Sequence, residues 1–100
     1  MASNYERMKQ AILILDEAGS MRERLASAFR TEVQYVDAKG LDKEMVYELE
    51  NINDQLTKVE AEGDKDTIDM SVETLLDSEA QDLINQMRNI YDYLAKKQKQ

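Results

Sequence analysis

Cysteine, histidine, proline and tryptophan are all missing from this 100-residue chain, and glycine occurs only three times. Without cysteine there is no disulfide, thiolate nucleophile or thiolate metal ligand. Without histidine the commonest metal ligand and the usual general base near neutral pH are gone as well. Serine and threonine hydroxyls remain, but no base of suitable pKa accompanies them. The expectation is a protein with no catalytic residues, no cofactor and no metal. The missing prolines and scarce glycines leave almost nothing to interrupt a helix. The longest apolar run, Ala11 to Leu15, is far too short to span a bilayer, and no basic segment with a long apolar run stands at the N-terminus. A cytoplasmic protein is expected.

What is present is helix-bundle material. The chain is 42% hydrophobic but only 6% aromatic, so its core must be built from Leu, Ile, Val, Met and Ala. One hundred residues have room for one domain, and residues 1–100 are read as a single all-α domain. Ser3, three residues before Glu6, has the spacing of a capping box and starts a first helix at about Asn4. Tyr5, Met8, Ile12, Leu15, Phe29, Val33 and Val36 fall on one heptad seam of that helix. Ala11, Ile14, Ala18, Met21, Leu25 and Ala28 form a second seam beside it, so the apolar surface is broad. Gly19 interrupts the first seam and marks a kink or a close crossing.

Asp37-Ala38-Lys39-Gly40 reads as a helix stop, with Gly40 in the left-handed conformation, and Asp42 as the N-cap of the next helix. Met45, Leu49, Ile52, Leu56 and Val59 then alternate by four and three, the cleanest heptad in the chain. Glu62 to Asp66 forms a polar turn. Beyond it Ile68, Met70 and Val72 alternate with polar residues, as Val33 and Tyr35 do, and a second reading pairs the two stretches as strands; Asp66 as an N-cap gives the helical account of 67–73. Leu76, Ala80, Leu83, Met87, Ile90 and Leu94 define a last helix, with Ser78 and Gln81 as a further capping box and Lys96, Lys97 and Lys99 at its negative dipole end. The predicted fold is a three-helix antiparallel bundle with a long N-terminal helix, associating through apolar helix faces.

Charge is spread unevenly. Residues 1–41 carry six acids and six bases; from Asp42 to Asp82 fourteen acids stand against three lysines, a net −11; the last eighteen residues are net +3. Such a chain is read as a small acidic interaction module, an adaptor, regulator or inhibitor. Ile14, Met21 and Leu25 would supply helix-face packing, and Glu44, Glu48, Asp54, Glu60 and Glu62 would select a basic protein partner. The run Ile12-Leu13-Ile14-Leu15 is apolar all round, which points to a homodimer or a hetero-complex sealed by the first helix.

Three other readings use the same residues. An acidic DNA mimic would present these carboxylates in place of phosphates and block a nucleic-acid-binding protein. Arg22, Arg24, Arg30 and Lys39, with the helix-stop-helix layout from Tyr35 to Lys43, are loosely similar to small nucleoid-type DNA-binding proteins, although phosphate would repel the −11 stretch. Glu79 and Asp82, one turn apart, with Glu44 and Glu48 from a facing helix, resemble the metal site of helical nucleotide pyrophosphatases, without the denser glutamate cluster of their first helix. Asp64-Lys65-Asp66 opens like a calcium loop but has Asp69 where glycine is needed and Leu75 in place of the bidentate glutamate.

Overall fold

Four helices begin at a Ser or Asp whose side chain accepts a backbone N–H, so local chemistry decides where they start. The computed structural model describes residues 2–98. Ser3 caps α1 (Asn4–Leu15) by accepting from the Glu6 N–H at 3.1 Å, and Ser20 caps α2 (Met21–Thr31) through the Glu23 N–H at 3.1 Å. Asp42 caps α3 (Lys43–Leu56) through Met45 at 3.0 Å, and Asp66 caps α4 (Thr67–Glu73) through Asp69 at 2.8 Å. α5 (Asp77–Gln98) starts differently: Glu79 reaches back to the Leu76 N–H at 2.8 Å. That contact, and not a box of Ser78 with Gln81, opens the last helix. Lys96 and Lys97 lie in its final turn; Lys99 lies outside the described residues.

The three-helix bundle is therefore replaced by an arrangement of five α-helices among the described residues. The long N-terminal helix does not form. α1 ends at Leu15, Gly19 takes a φ of +123°, and the chain restarts at Ser20. Two local effects outweigh helix continuation: the Ser20–Glu23 cap, and Arg24, which donates to the Leu15 carbonyl at 2.5 Å and so satisfies an acceptor that the end of α1 leaves open. After α2 the chain makes short 3-10 turns at Val33–Tyr35 and Ala38–Gly40. Gly40 is not in the left-handed region. A Cβ there would lie 2.8 Å from Asn4 Nδ2, and Asn4 clamps the Asp37 backbone, donating to its carbonyl at 2.7 Å and accepting from its N–H at 2.8 Å. Glycine at 40 thus serves close approach, not a turn in φ.

Residues 67–73 are helical, and no strand occurs among the described residues; only an isolated bridge joins Glu62 to Lys65 across Gly63, whose φ is +63°. The strand pairing fails because Asp66 makes a strong helix cap that is itself held from outside. Arg30 donates to both Asp66 carboxylate oxygens, at 3.1 and 3.0 Å, and to Asp69 at 2.9 Å.

α5 is the axis of the molecule. α1 and α3 each pack along it, α2 packs on α1, and α4 bridges α2 and α3. Buried side chains from all five helices form one cluster, including Met8 and Leu15, Leu25 and Phe29, Leu49, Ile52 and Leu56, Val72, and Leu83, Met87 and Ile90. The heptads read in α3 and α5 face this core, except Leu76, which is 67% exposed, and Val59, which lies beyond the end of α3. Most of both apolar seams of the N-terminal segment is covered internally, because the break at 16–20 folds α2 back on α1; Ala18, in the break itself, is exposed. Of the run Ile12 to Leu15 only Leu13 is exposed. No helix among the described residues is long and apolar enough to cross a membrane.

The clamp on α4 has a pH signature. The Asp69 backbone N–H above all holds the Asp66 carboxyl below the usual aspartate value; loss of hydration opposes it, and the Arg30 guanidinium adds to the lowering. A lowered folded-state pKa stabilises fully above the unfolded value, about pH 4, and that contribution fades as pH falls through the lowered value. Asp66→Asn keeps a capping side chain but removes the charge. Its melting temperature should fall below that of the native chain at pH 6, and the two should converge towards pH 2.5 when followed by circular dichroism. A gap independent of pH would exclude the ionic contribution.

Candidate partner-binding surface

The residues expected to bind a partner divide into three that face inward and five that do not. Leu25 is buried in the core, and a side chain with no accessible area offers nothing to a partner. Ile14 and Met21 are half-buried and pack against the same core. This corrects the reading of Leu25 as a docking residue: the break turns α2 back on α1 and buries it, whereas Ile14 and Met21 keep part of their surface. Glu44, Asp54, Glu60 and Glu62 are exposed, while Glu48 is half-buried. Ile14 stands on α1 and Met21 and Leu25 on α2, whereas Glu44, Glu48 and Asp54 stand on α3 and Glu60 and Glu62 follow it.

The acidic group is organised by α3. Its buried stripe is Leu49, Ile52 and Leu56. The helical repeat therefore turns Glu44, Tyr47, Glu50 and Asp54 to the solvent side, where all four are exposed. Glu60 and Glu62 follow in the connection to α4. Glu48 lies on the flank of α3 that meets α5: its Oε1 accepts from Asn89 Nδ2 at 3.2 Å, and its Oε2 is buried without a hydrogen-bond partner.

The arginines are committed elsewhere. Arg7 pairs with Glu32 at 3.3 Å and Arg88 with Asp16 at 2.9 Å. Arg22 donates to Asp77 at 2.7 Å and to the Leu75 carbonyl at 2.5 Å; Arg24 holds the Leu15 carbonyl; Arg30 grips Asp66 and Asp69. Lys65 pairs with Glu73. These contacts neutralise Asp16 and Glu32 at the ends of α1 and α2, Asp66, Asp69 and Glu73 of α4 and its cap, and Asp77 at the start of α5. No ion pair among the described residues reaches Glu44, Glu50, Asp54, Glu60 or Glu62. The sequence showed an acidic middle segment but not this sorting, because an arginine's choice of partner across 25 to 72 residues of chain carries no local signal. Tyr47 is 73% exposed in the middle of the acidic face.

The same geometry separates the residues of the alternative readings. Glu48 opposite Asn89 and Asn51 opposite Gln86 set the antiparallel register of α3 and α5. In that register Glu79 and Asp82 meet Asn51 and Gln55 across a groove of about 200 Å3, floored by Leu75 and Leu83. Glu48 lies seven residues, about 10 Å, further along α3. The four carboxylates needed for a dinuclear metal site are not brought together, and no group of three acidic side chains among the described residues could hold a metal ion. Asp66 of the calcium-loop match is spent on capping α4. Arg22, Arg24 and Arg30, the cations of the nucleic-acid reading, face carboxylates and carbonyls of this chain.

Comparison with known proteins finds no matching family model, no similar curated protein and no matching solved structure.

Proposed function

We propose that this chain is a protein-interaction module that docks on a basic protein partner through the outer face of α3 and the connection that follows it. Glu44, Glu50, Asp54, Glu60 and Glu62 would steer and select that partner. The observation that supports this reading is the sorting of charge. Arg22 and Arg30 neutralise acids around α4, while the α3 acids keep their charge facing solvent. Exposed carboxylates left without cations contribute little to the fold, since even paired surface charges are worth about 0–1 kcal/mol. Their field does accelerate and orient encounter with a cationic surface.

The test is a triple neutralisation, Glu44→Gln with Glu50→Gln and Asp54→Asn, which removes charge from exposed positions and leaves the core intact. A partner captured from extract of the source organism, purified and titrated against both proteins, should bind the variant about tenfold more weakly at low salt. The difference should shrink at 0.5 M salt, where the screening length falls to about 4 Å. Equal affinity of the two proteins, or affinity insensitive to salt, would remove the acidic face from the interface. Competition by duplex DNA would mark the partner as a nucleic-acid-binding protein.

A further inference from the structure

Four of the five tyrosines have ring partners. Tyr5 and Tyr91 stack with centroids 6.0 Å apart, the Arg7 guanidinium carbon lies 5.0 Å from the Tyr35 ring centre, and Lys97 Nζ lies 4.9 Å from that of Tyr93. Tyr47 has neither an aromatic nor a cationic neighbour over its ring among the described residues, and it is the most exposed large hydrophobic side chain. The fold does not use it.

The Arg7 contact shows what a tyrosine beside a carboxylate does in this protein. The negative face of the Tyr35 ring attracts the guanidinium, which also donates to Glu32 at 3.3 Å. Tyr47 has the receptor half of that arrangement. Glu44 and Glu50 stand three residues to either side on the same helix face, and Asp54 follows seven residues on, almost in line with the ring. Lys43, one turn earlier, is the single cation on this stretch, and it does not lie over Tyr47. Three carboxylates against one ammonium leave the ring in a negative field.

We propose that Tyr47, flanked by Glu44 and Glu50, is the seat for an arginine side chain presented by the partner protein. The inference rests on the docking reading above and specifies its ligand. Arginine fits better than lysine for a geometric reason. A planar guanidinium stacks on the phenol ring and still directs N–H groups sideways to carboxylates on both flanks, whereas an ammonium over the ring is a point charge that keeps much of its hydration.

Two fluorescent peptides of equal length and charge, one carrying arginines and the other lysines between Gly-Ser spacers, provide the test, with anisotropy read at low salt on the full chain. The arginine peptide should bind about threefold to fivefold more tightly. Tyr47→Leu should bring the ratio to about one and Tyr47→Phe should preserve it; circular dichroism confirms that these surface variants are folded. Glu50→Gln with Asp54→Asn should weaken both peptides together. No arginine preference in the native chain, or a preference unchanged in Tyr47→Leu, overturns the seat. The docking reading survives that outcome if neutralising the acids still weakens both peptides. Failure of both peptides to bind overturns both readings.

Discussion

Replacing Leu25 by alanine should lower the free energy of unfolding by about 2–5 kcal/mol, the range for truncating a large buried aliphatic side chain. Leu25 has no accessible surface and lies on α2 among residues that join α1, α4 and α5 in one core. The loss combines the transfer free energy of the missing carbons with a cavity that five interlocked helices cannot close. Chemical denaturation followed at 222 nm measures it, with the midpoint shifted and the slope unchanged. The result also separates two roles for the residue. A docking residue would cost affinity and leave stability intact, whereas a core residue loses stability first. A change below about 0.5 kcal/mol, the usual size for a surface substitution, would contradict the packing described here.

The second large effect is expected at Ser71, the only buried polar residue among those described. Its hydroxyl oxygen accepts from the Val59 backbone N–H at 3.0 Å, tying α4 to the segment just beyond α3. That N–H follows the end of α3, outside any helical ladder, so the serine is the partner it has. Ser71→Ala removes the acceptor and leaves a partly buried donor unpaired, a loss of about 1–3 kcal/mol. It barely changes side-chain volume, so cavity formation does not confuse the result. Amide hydrogen exchange supplies the specific readout. Val59 should lose protection by at least tenfold while amides in the middle of α5 follow only the global change. Unchanged exchange at Val59 would show that the bond carries no weight.

Three of the five helix starts were legible from signals within four residues. Ser3 with Glu6, Asp42 and Asp66 are caps readable from the sequence, and the heptads of α3 and α5 point inward as their spacing requires, apart from Val59 and Leu76 outside the helix ends. The break between α1 and α2 was only half legible. Gly19 was noted as an interruption, but Ser20 followed by Glu23 is the same capping signal as Ser3 followed by Glu6, and it makes the interruption a full stop. Ser78 with Gln81 shows the opposite error: the right spacing loses to a neighbouring Glu79 that reaches the Leu76 N–H one turn earlier. Of the candidate site, the acids of α3 were legible as charge. Leu25 was misplaced because periodicity reports that a face is apolar and not whether the same chain covers it.

By itself, then, the sequence determined the helical class, the starts of α1, α3 and α4 and the acidity of the middle segment. Each of these depends on interactions between residues a turn apart or on simple composition. Tertiary structure alone decided that Leu25 is interior, that Arg22 and Arg30 hold α4, and that Glu44, Glu50 and Asp54 have no ion-pair partner and Tyr47 no ring partner among the described residues. Those outcomes depend on which distant segments meet around α5. Bringing such segments together is a property of the whole packed core and leaves no trace in the spacing of neighbouring residues.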